Sequence, residues 1–105
     1  MAGAYSFVCK ESSTDELCAR LNAEGGWQWH VGDSYWYGDY VACGMLGARV
    51  RIVDFPVEAE GGYRYDADVR IRDTCTTPME AIDEAFRTAL ARIGAHSVKE
   101  IEWFD

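Results

Sequence analysis

The stretch YRYDADVRIR, residues 63–72, carries the clearest strand signal in the chain. Its side chains alternate between an apolar and a charged side. The apolar side holds Tyr63, Tyr65, Ala67, Val69 and Ile71, and the charged side holds Arg64, Asp66, Asp68, Arg70 and Arg72. A period of two with one dry and one wet side is typical of a strand in an antiparallel sheet. The stretch therefore predicts such a sheet, with one face against a core.

The stretch ARVRIVDF, residues 48–55, repeats this alternation before a loop, PVEAEGG, that is predicted to be the tip of a hairpin. If the hairpin folds back, Arg49 and Arg51 come near Asp66 and Asp68 as cross-strand charge pairs. We interpret this charged ladder as structural. The alternative is an exposed polar sheet that binds a ligand.

Two helices are predicted on either side of these strands. Residues 14–24 follow a capping box, in which Ser13 precedes Glu16 by three positions, and Gly25 is a natural stop. The second helix lies in TTPMEAIDEAFRTALARIG, where Thr77 is a candidate cap and proline suits the first helical position. Its apolar residues recur at helical spacing, which indicates a core-facing stripe: Met79, Ile82, Phe86, Leu90 and Ile93.

The remaining strands complete one domain over residues 1–105. Further strand signals are seen at 4–9, at 27–31, between 35 and 43, and at 97–104. The predicted fold class is α+β, with an antiparallel sheet of 4–6 strands and two helices packed on one face. The order β-α-β-β-β-β-α-β is close to a ferredoxin-like plan with extra strands.

The acidity of the chain restricts the classes of partner. Its 18 acidic and 10 basic residues give a net charge of −8, which argues against direct nucleic-acid binding and against anionic membranes. A basic protein partner is more compatible, although acidity can also serve solubility alone. The sequence has no apolar run long enough to span a membrane and no leader-like opening, so we expect a cytoplasmic protein.

The chain contains no recognisable catalytic, metal or cofactor motif. Cys9, Cys18, Cys43 and Cys75 form no CxxC pair, and no phosphate-binding loop or GxGxxG is present. We therefore predict reduced thiols, no catalytic residue, no metal and no cofactor. His30 with Cys43 is the one candidate nucleophile–base pair, and a solvent-facing histidine is the favoured interpretation.

An aromatic segment, GGWQWHVGDSYWYGDY at residues 25–40, is the main candidate for an interaction surface. Trp27 and Trp29 alternate on one strand side and are predicted to pack against the helices. The other aromatics flank a turn, and alternation cannot bury them all, so at least one side is expected to be exposed. The alternative is a sheet edge or a homodimer seam covered by these rings.

These features favour a small acidic non-enzymatic protein that inhibits or occludes a basic, nucleic-acid-binding partner. In size, charge and lack of catalytic motifs the chain resembles immunity proteins and phage-encoded inhibitors such as anti-CRISPRs, some of which mimic nucleic acid by presenting acids in place of phosphates. The predicted partner-binding residues are Tyr35, Trp36, Tyr37, Tyr40, Asp33, Asp39, Glu11, Asp15 and Glu16. The alternative is a dimeric ligand-binding or enzymatic domain, with a pocket near the aromatic turn at 33–43.

Overall fold

The computed structural model describes residues 2–34, 38–71 and 76–101, apart from the side chains at 2, 33, 34, 38 and 54–56. The elements follow one another as β1 (Ala2–Cys9), α1 (Thr14–Glu24), β2 (His30–Ser34), β3 (Gly38–Met45), β4 (Ala48–Ala59), β5 (Gly62–Ile71), α2 (Met79–Arg92) and β6 (His96–Glu100).

The strands form a 6-stranded antiparallel sheet in the order β2-β3-β4-β5-β1-β6. The predicted α+β class, with an antiparallel sheet and two helices, is confirmed. The ferredoxin-like order is not confirmed. The β2–β3 hairpin adds to the outer edge of β4, which makes the sheet wider than a four-strand plan.

Local side-chain bonds define where α1 begins and ends. The Ser13 hydroxyl accepts from the backbone N–H of Glu16 at 3.2 Å, and the Glu16 carboxylate accepts from the backbone N–H of Ser12 at 3.1 Å. This is a capping box whose return bond goes one residue further back than the usual position. Gly25, at φ 79°, ends the helix in a conformation that favours glycine. In α2, Pro78 rather than Thr77 occupies the N-cap position.

The core lies between one sheet face and the two helices. Phe86 of α2 is fully buried at its centre, with ring centroids 5.3 Å from Tyr5 and 6.4 Å from Phe7 in edge-on contact. The Phe7 ring stacks on Tyr65 at 5.8 Å. These residues and the apolar side of β5 confirm the periodicity seen in the sequence, because they form one continuous buried cluster.

The two tryptophans at the start of the aromatic segment do not share a strand face. The strand begins only at His30, because the side chain of Asn22 takes the place of a strand partner. It accepts from the Trp29 N–H at 2.8 Å and donates to the Trp29 carbonyl at 3.0 Å. Trp29 is buried, whereas Trp27 is only half-buried. Both rings still pack with the core, Trp29 within it and Trp27 against it, so only the prediction that they share a strand face is wrong.

The β4–β5 hairpin is longer than predicted. Residues 56–59 belong to β4, so the turn is confined to residues 60 and 61. The register shifts between Val53 and Val57, and beyond this shift Arg51 lies opposite Asp68, as expected, whereas Arg49 lies opposite Arg70. Of the predicted cross-strand charge pairs, Arg51–Asp68 therefore forms, whereas Arg49 faces the like charge of Arg70.

Candidate functional site

Acidic and basic side chains are separated between the two sides of the molecule. The two helices carry six acidic residues and three arginines. The sheet face turned away from the helices, called the polar face below, has the opposite balance. Among the described residues it carries Arg49, Arg51, Arg64, Arg70 and Lys99, against Asp66 and Asp68. An acidic helix layer therefore covers one side of the sheet and an arginine-rich surface lies on the other.

The polar face is organised around the carboxylate of Asp68. This side chain is only 5% exposed. Arg51 donates to it in bidentate fashion, from Nε to Oδ1 and from Nη2 to Oδ2, both at 3.1 Å. Arg70 adds a bond from Nε to Oδ2 at 3.2 Å. Bidentate guanidinium–carboxylate pairs are strong and directional, so Asp68 holds two arginines in defined positions.

Arg49 brings a third guanidinium to the same place. It is exposed and lies directly opposite Arg70 in the β4–β5 ladder. Its guanidinium carbon lies 6.0 Å from the ring centroid of Tyr40, within cation–π range. The residues Arg49, Arg51, Asp68 and Arg70 line a cavity of about 190 Å³, called the arginine pocket below. The sequence favoured a structural ion-pair ladder on these strands, with an exposed, ligand-binding polar sheet as the alternative.

The aromatic segment contributes Tyr40 to the polar face. Its ring lies over Gly32 of β2, where any side chain would overlap it. Asp39, the next residue, is exposed on the opposite, helix-bearing side, since successive strand residues alternate. Its backbone partner in the register is Asp33. Tyr40 and Asp39 therefore do not share one surface. The predicted residues Tyr35, Trp36 and Tyr37 lie outside the described residues.

The remaining predicted acids lie at the start of α1. Asp15 and Glu16 are exposed in its first turn, and Glu16 is engaged in the capping box. Glu11 lies in the preceding loop, where its carbonyl accepts from the Tyr65 hydroxyl at 2.8 Å. Because β1 and β3 run in opposite directions, these acids and Asp39 lie at the same end of the sheet. Strands β5 and β4 separate them laterally.

The candidate nucleophile and base are not brought together. His30 pairs with Ala42 in the register and is exposed on the polar face, whereas Cys43 is buried in the core on the other face. Burial raises the pKa of the Cys43 thiol to about 11, and burial likewise raises that of Cys9 to about 11. A thiol with a raised pKa is a poor nucleophile near neutral pH. These thiols therefore pack as small apolar groups.

Trp27 is a half-buried aromatic residue that the sequence prediction did not place in a candidate site. It borders a cavity of about 290 Å³, called the hollow below, whose other lining comes from α2: Ala81, Glu84, Ala85, Thr88, Ala89 and Arg92. It also borders a second cavity of about 430 Å³, together with Gly26, Gln28 and Gly44. Gly25 and Gly26, immediately before Trp27, interrupt the strand pattern and could have indicated that Trp27 lies outside a strand.

Within residues 2–34, 38–71 and 76–101, no group of three His, Cys, Asp or Glu side chains is arranged to hold a metal ion. No helix in the described part of the chain has the length and apolar character needed to cross a membrane. In sequence comparisons the chain matches no protein-family model and no curated protein.

Proposed function

We propose that this chain is a small acidic binding protein that engages a basic partner through its helix layer and occludes the partner's surface. The observation that supports the proposal is the charge separation across the sheet. Six of the acidic residues lie on two short helices, and the sheet face behind them takes most of the described strand arginines. A surface with an excess of one charge sign accelerates encounter with an oppositely charged partner.

The hollow beside Trp27 supplies the apolar part of this surface. Trp27 is packed against the core on one side and half-exposed on the other, so its ring is held rigidly. Glu84 borders the hollow, and Glu80 lies one turn earlier on α2. A partner arginine would stack on the indole ring and pair with a carboxylate of α2. Rigid aromatic anchors beside charged groups are typical of binding hot spots.

Occlusion requires no chemistry from the chain itself. The thiols of Cys9 and Cys43 are buried, and His30 stands on the far face from Cys43. The proposed activity is therefore that of an inhibitor in the manner of immunity proteins and anti-CRISPRs, with acids meeting the arginines and lysines of a nucleic-acid-binding target. Tyr35, Trp36 and Tyr37 stay in this proposal as a second aromatic anchor.

The test is capture of the partner by three forms of the protein from a lysate of the source cells. The first form is wild type. The second, Glu80→Gln/Glu84→Gln, removes two charges beside the hollow. The third, Glu58→Gln/Glu60→Gln, removes two exposed charges at the β4–β5 tip and is the matched control. Quantitative mass spectrometry at low salt and at about 0.5 M salt, where exposed charges are screened, reads the result.

We expect one basic protein to be retained by wild type and by the control variant at low salt. The Glu80→Gln/Glu84→Gln variant should not retain this protein, and high salt should release it from wild type. Equal retention by both variants would overturn the assignment to the helix layer. A Trp27→Ala variant then tests the aromatic anchor, with Trp36→Ala beside it. Loss of the partner in Trp36→Ala alone would place the contact at the aromatic turn instead of the hollow.

A further inference from the structure

Arginine side chains dominate the described lining of the arginine pocket. Its four described lining residues comprise three arginines and one aspartate. Arg49 and Arg70 lie directly opposite each other on neighbouring strands, a position in which like charges destabilise a sheet. The whole chain is strongly acidic, so this concentration of guanidinium groups does not follow from composition.

The pocket is also built in advance of any ligand. Arg51, 12% exposed, is locked to the buried Asp68 by two bonds, and Arg70 is tied to the same carboxylate while its side chain stays 51% exposed. Arg49 stands beside the Tyr40 ring, which is itself seated on Gly32. Groups held in place before binding lose less conformational entropy on binding, and this favours affinity for a matching ligand.

We propose that the arginine pocket binds the dianionic phosphate group of inorganic phosphate or of a small phosphate monoester. Guanidinium groups recognise phosphate oxygens with paired N–H donors. A phosphate dianion offers more acceptor oxygens and more negative charge to these arginines than a carboxylate or a phosphodiester does. Arg49 and Arg70 contact the phosphate oxygens from the two strands, and Asp68 with Arg51 forms the floor of the site. This site is on the face opposite to the proposed partner surface and does not depend on it.

The experiment titrates the protein with inorganic phosphate by calorimetry, at constant ionic strength and at a pH where the dianion predominates. Methyl phosphate is the second probe, and dimethyl phosphate and acetate are the single-charge controls. Saturable binding of inorganic phosphate or methyl phosphate supports the proposal, and the stronger of the two identifies the source of the group. Binding of phosphate no tighter than that of acetate would overturn it.

Variants separate a binding role from a structural one. Arg49→Gln is expected to weaken phosphate binding at least about tenfold, the equivalent of one charge-assisted hydrogen bond. Without phosphate its melting temperature should equal or exceed that of wild type, because a like-charge pair is removed. Arg64→Gln, on the same face of β5 but paired with Asp66, is the matched control and should bind as wild type.

Two results would contradict the assignment: wild-type affinity in Arg49→Gln, or an equal loss in Arg49→Gln and Arg64→Gln, which would indicate only general attraction to a basic face. Arg70→Gln repeats the test from the other strand and is expected to lose binding by a similar factor.

Discussion

Replacing Asp68 by asparagine removes the negative charge that joins β4 to β5 on the polar face. In the native protein this carboxylate accepts two bonds from Arg51 and one from Arg70. The Arg51 side chain is 12% exposed, so little water is available to compensate for the lost partner. Asparagine keeps one carbonyl oxygen as an acceptor but brings an N–H₂ group against the guanidinium.

Loss of one partner of a buried ion pair costs about 3–5 kcal/mol. The acceptor that asparagine retains recovers about 1 kcal/mol. We therefore expect the free energy of unfolding to fall by roughly 2–4 kcal/mol. For a domain of this size a change of that order lowers the melting temperature by roughly 10–20 °C.

Asp66→Asn is the matched control for Asp68→Asn. Asp66 lies two residues earlier on the same strand face, its side chain is 30% exposed, and Arg64 Nε is 3.8 Å from its Oδ1. That separation is too long for a hydrogen bond, and Asp66 Oδ1 is buried without a hydrogen-bond partner among the described residues. Replacing this unsatisfied carboxylate by an amide removes no hydrogen bond from that oxygen and should cost less than about 1 kcal/mol. Urea unfolding followed by far-UV circular dichroism gives both values. A loss in Asp68→Asn no greater than in Asp66→Asn would refute the reasoning.

A double variant, Arg51→Met/Asp68→Leu, tests the same reasoning from the opposite direction. Removal of both charges leaves no uncompensated buried ion, because Arg70, which also loses its bond to Asp68, has a side chain that is 51% exposed. Apolar replacements of buried pairs are often neutral or stabilising. The double variant is therefore expected to unfold at a higher urea concentration than Asp68→Asn. A double variant less stable than the single variant would show that the cost comes from lost packing rather than from an unpaired charge.

Two further predictions concern packing and pH. Gly32→Ala should destabilise the protein by about 1–3 kcal/mol, because the added methyl group overlaps the Tyr40 ring. Gly44→Ala is the control and should be near neutral, because the space around Gly44 is open. Equal shifts in melting temperature for the two variants would contradict this prediction. The pKa values of Cys9 and Cys43 are raised from 9.0 to about 11, so the folded state binds these protons more tightly than the unfolded state. Stability from these thiols is complete below pH 9 and is lost as the pH rises towards 11, and urea midpoints of a Cys9→Ala/Cys43→Ala variant should fall less steeply over that range. A slope identical to that of wild type would refute the thiol assignment.

Much of the fold could be predicted because local periodicity is a property of the chain alone. The alternation in residues 63–72 indicated the strand β5, and the stripe around Phe86 indicated the core side of α2. The capping box at Ser13 was readable because its bonds join residues only three or four positions apart. These signals depend on φ/ψ preferences and short-range hydrogen bonds, which a sequence carries directly.

The candidate sites were predicted less well because each depends on contacts between distant residues. Trp27 and Trp29 were assigned to one strand face from their alternation, but the bonds between Asn22 and Trp29 keep the strand from beginning before His30. The residues of the arginine pocket were interpreted mainly as charge pairs, because the register shift between Val53 and Val57, which places Arg49 opposite Arg70, was not predicted. A different register would have put other residues opposite Arg49.

The sequence by itself determined the class of this protein: an acidic α+β domain with an antiparallel sheet, two amphipathic helices and thiols without a pairing pattern. Only the tertiary structure decided that the helices carry an excess of acids over arginines on one side, and that Arg49 and Arg70 meet around Asp68 on the other. The physical reason is that strand register places side chains from distant segments together, and register depends on turn length and on packing across the whole sheet.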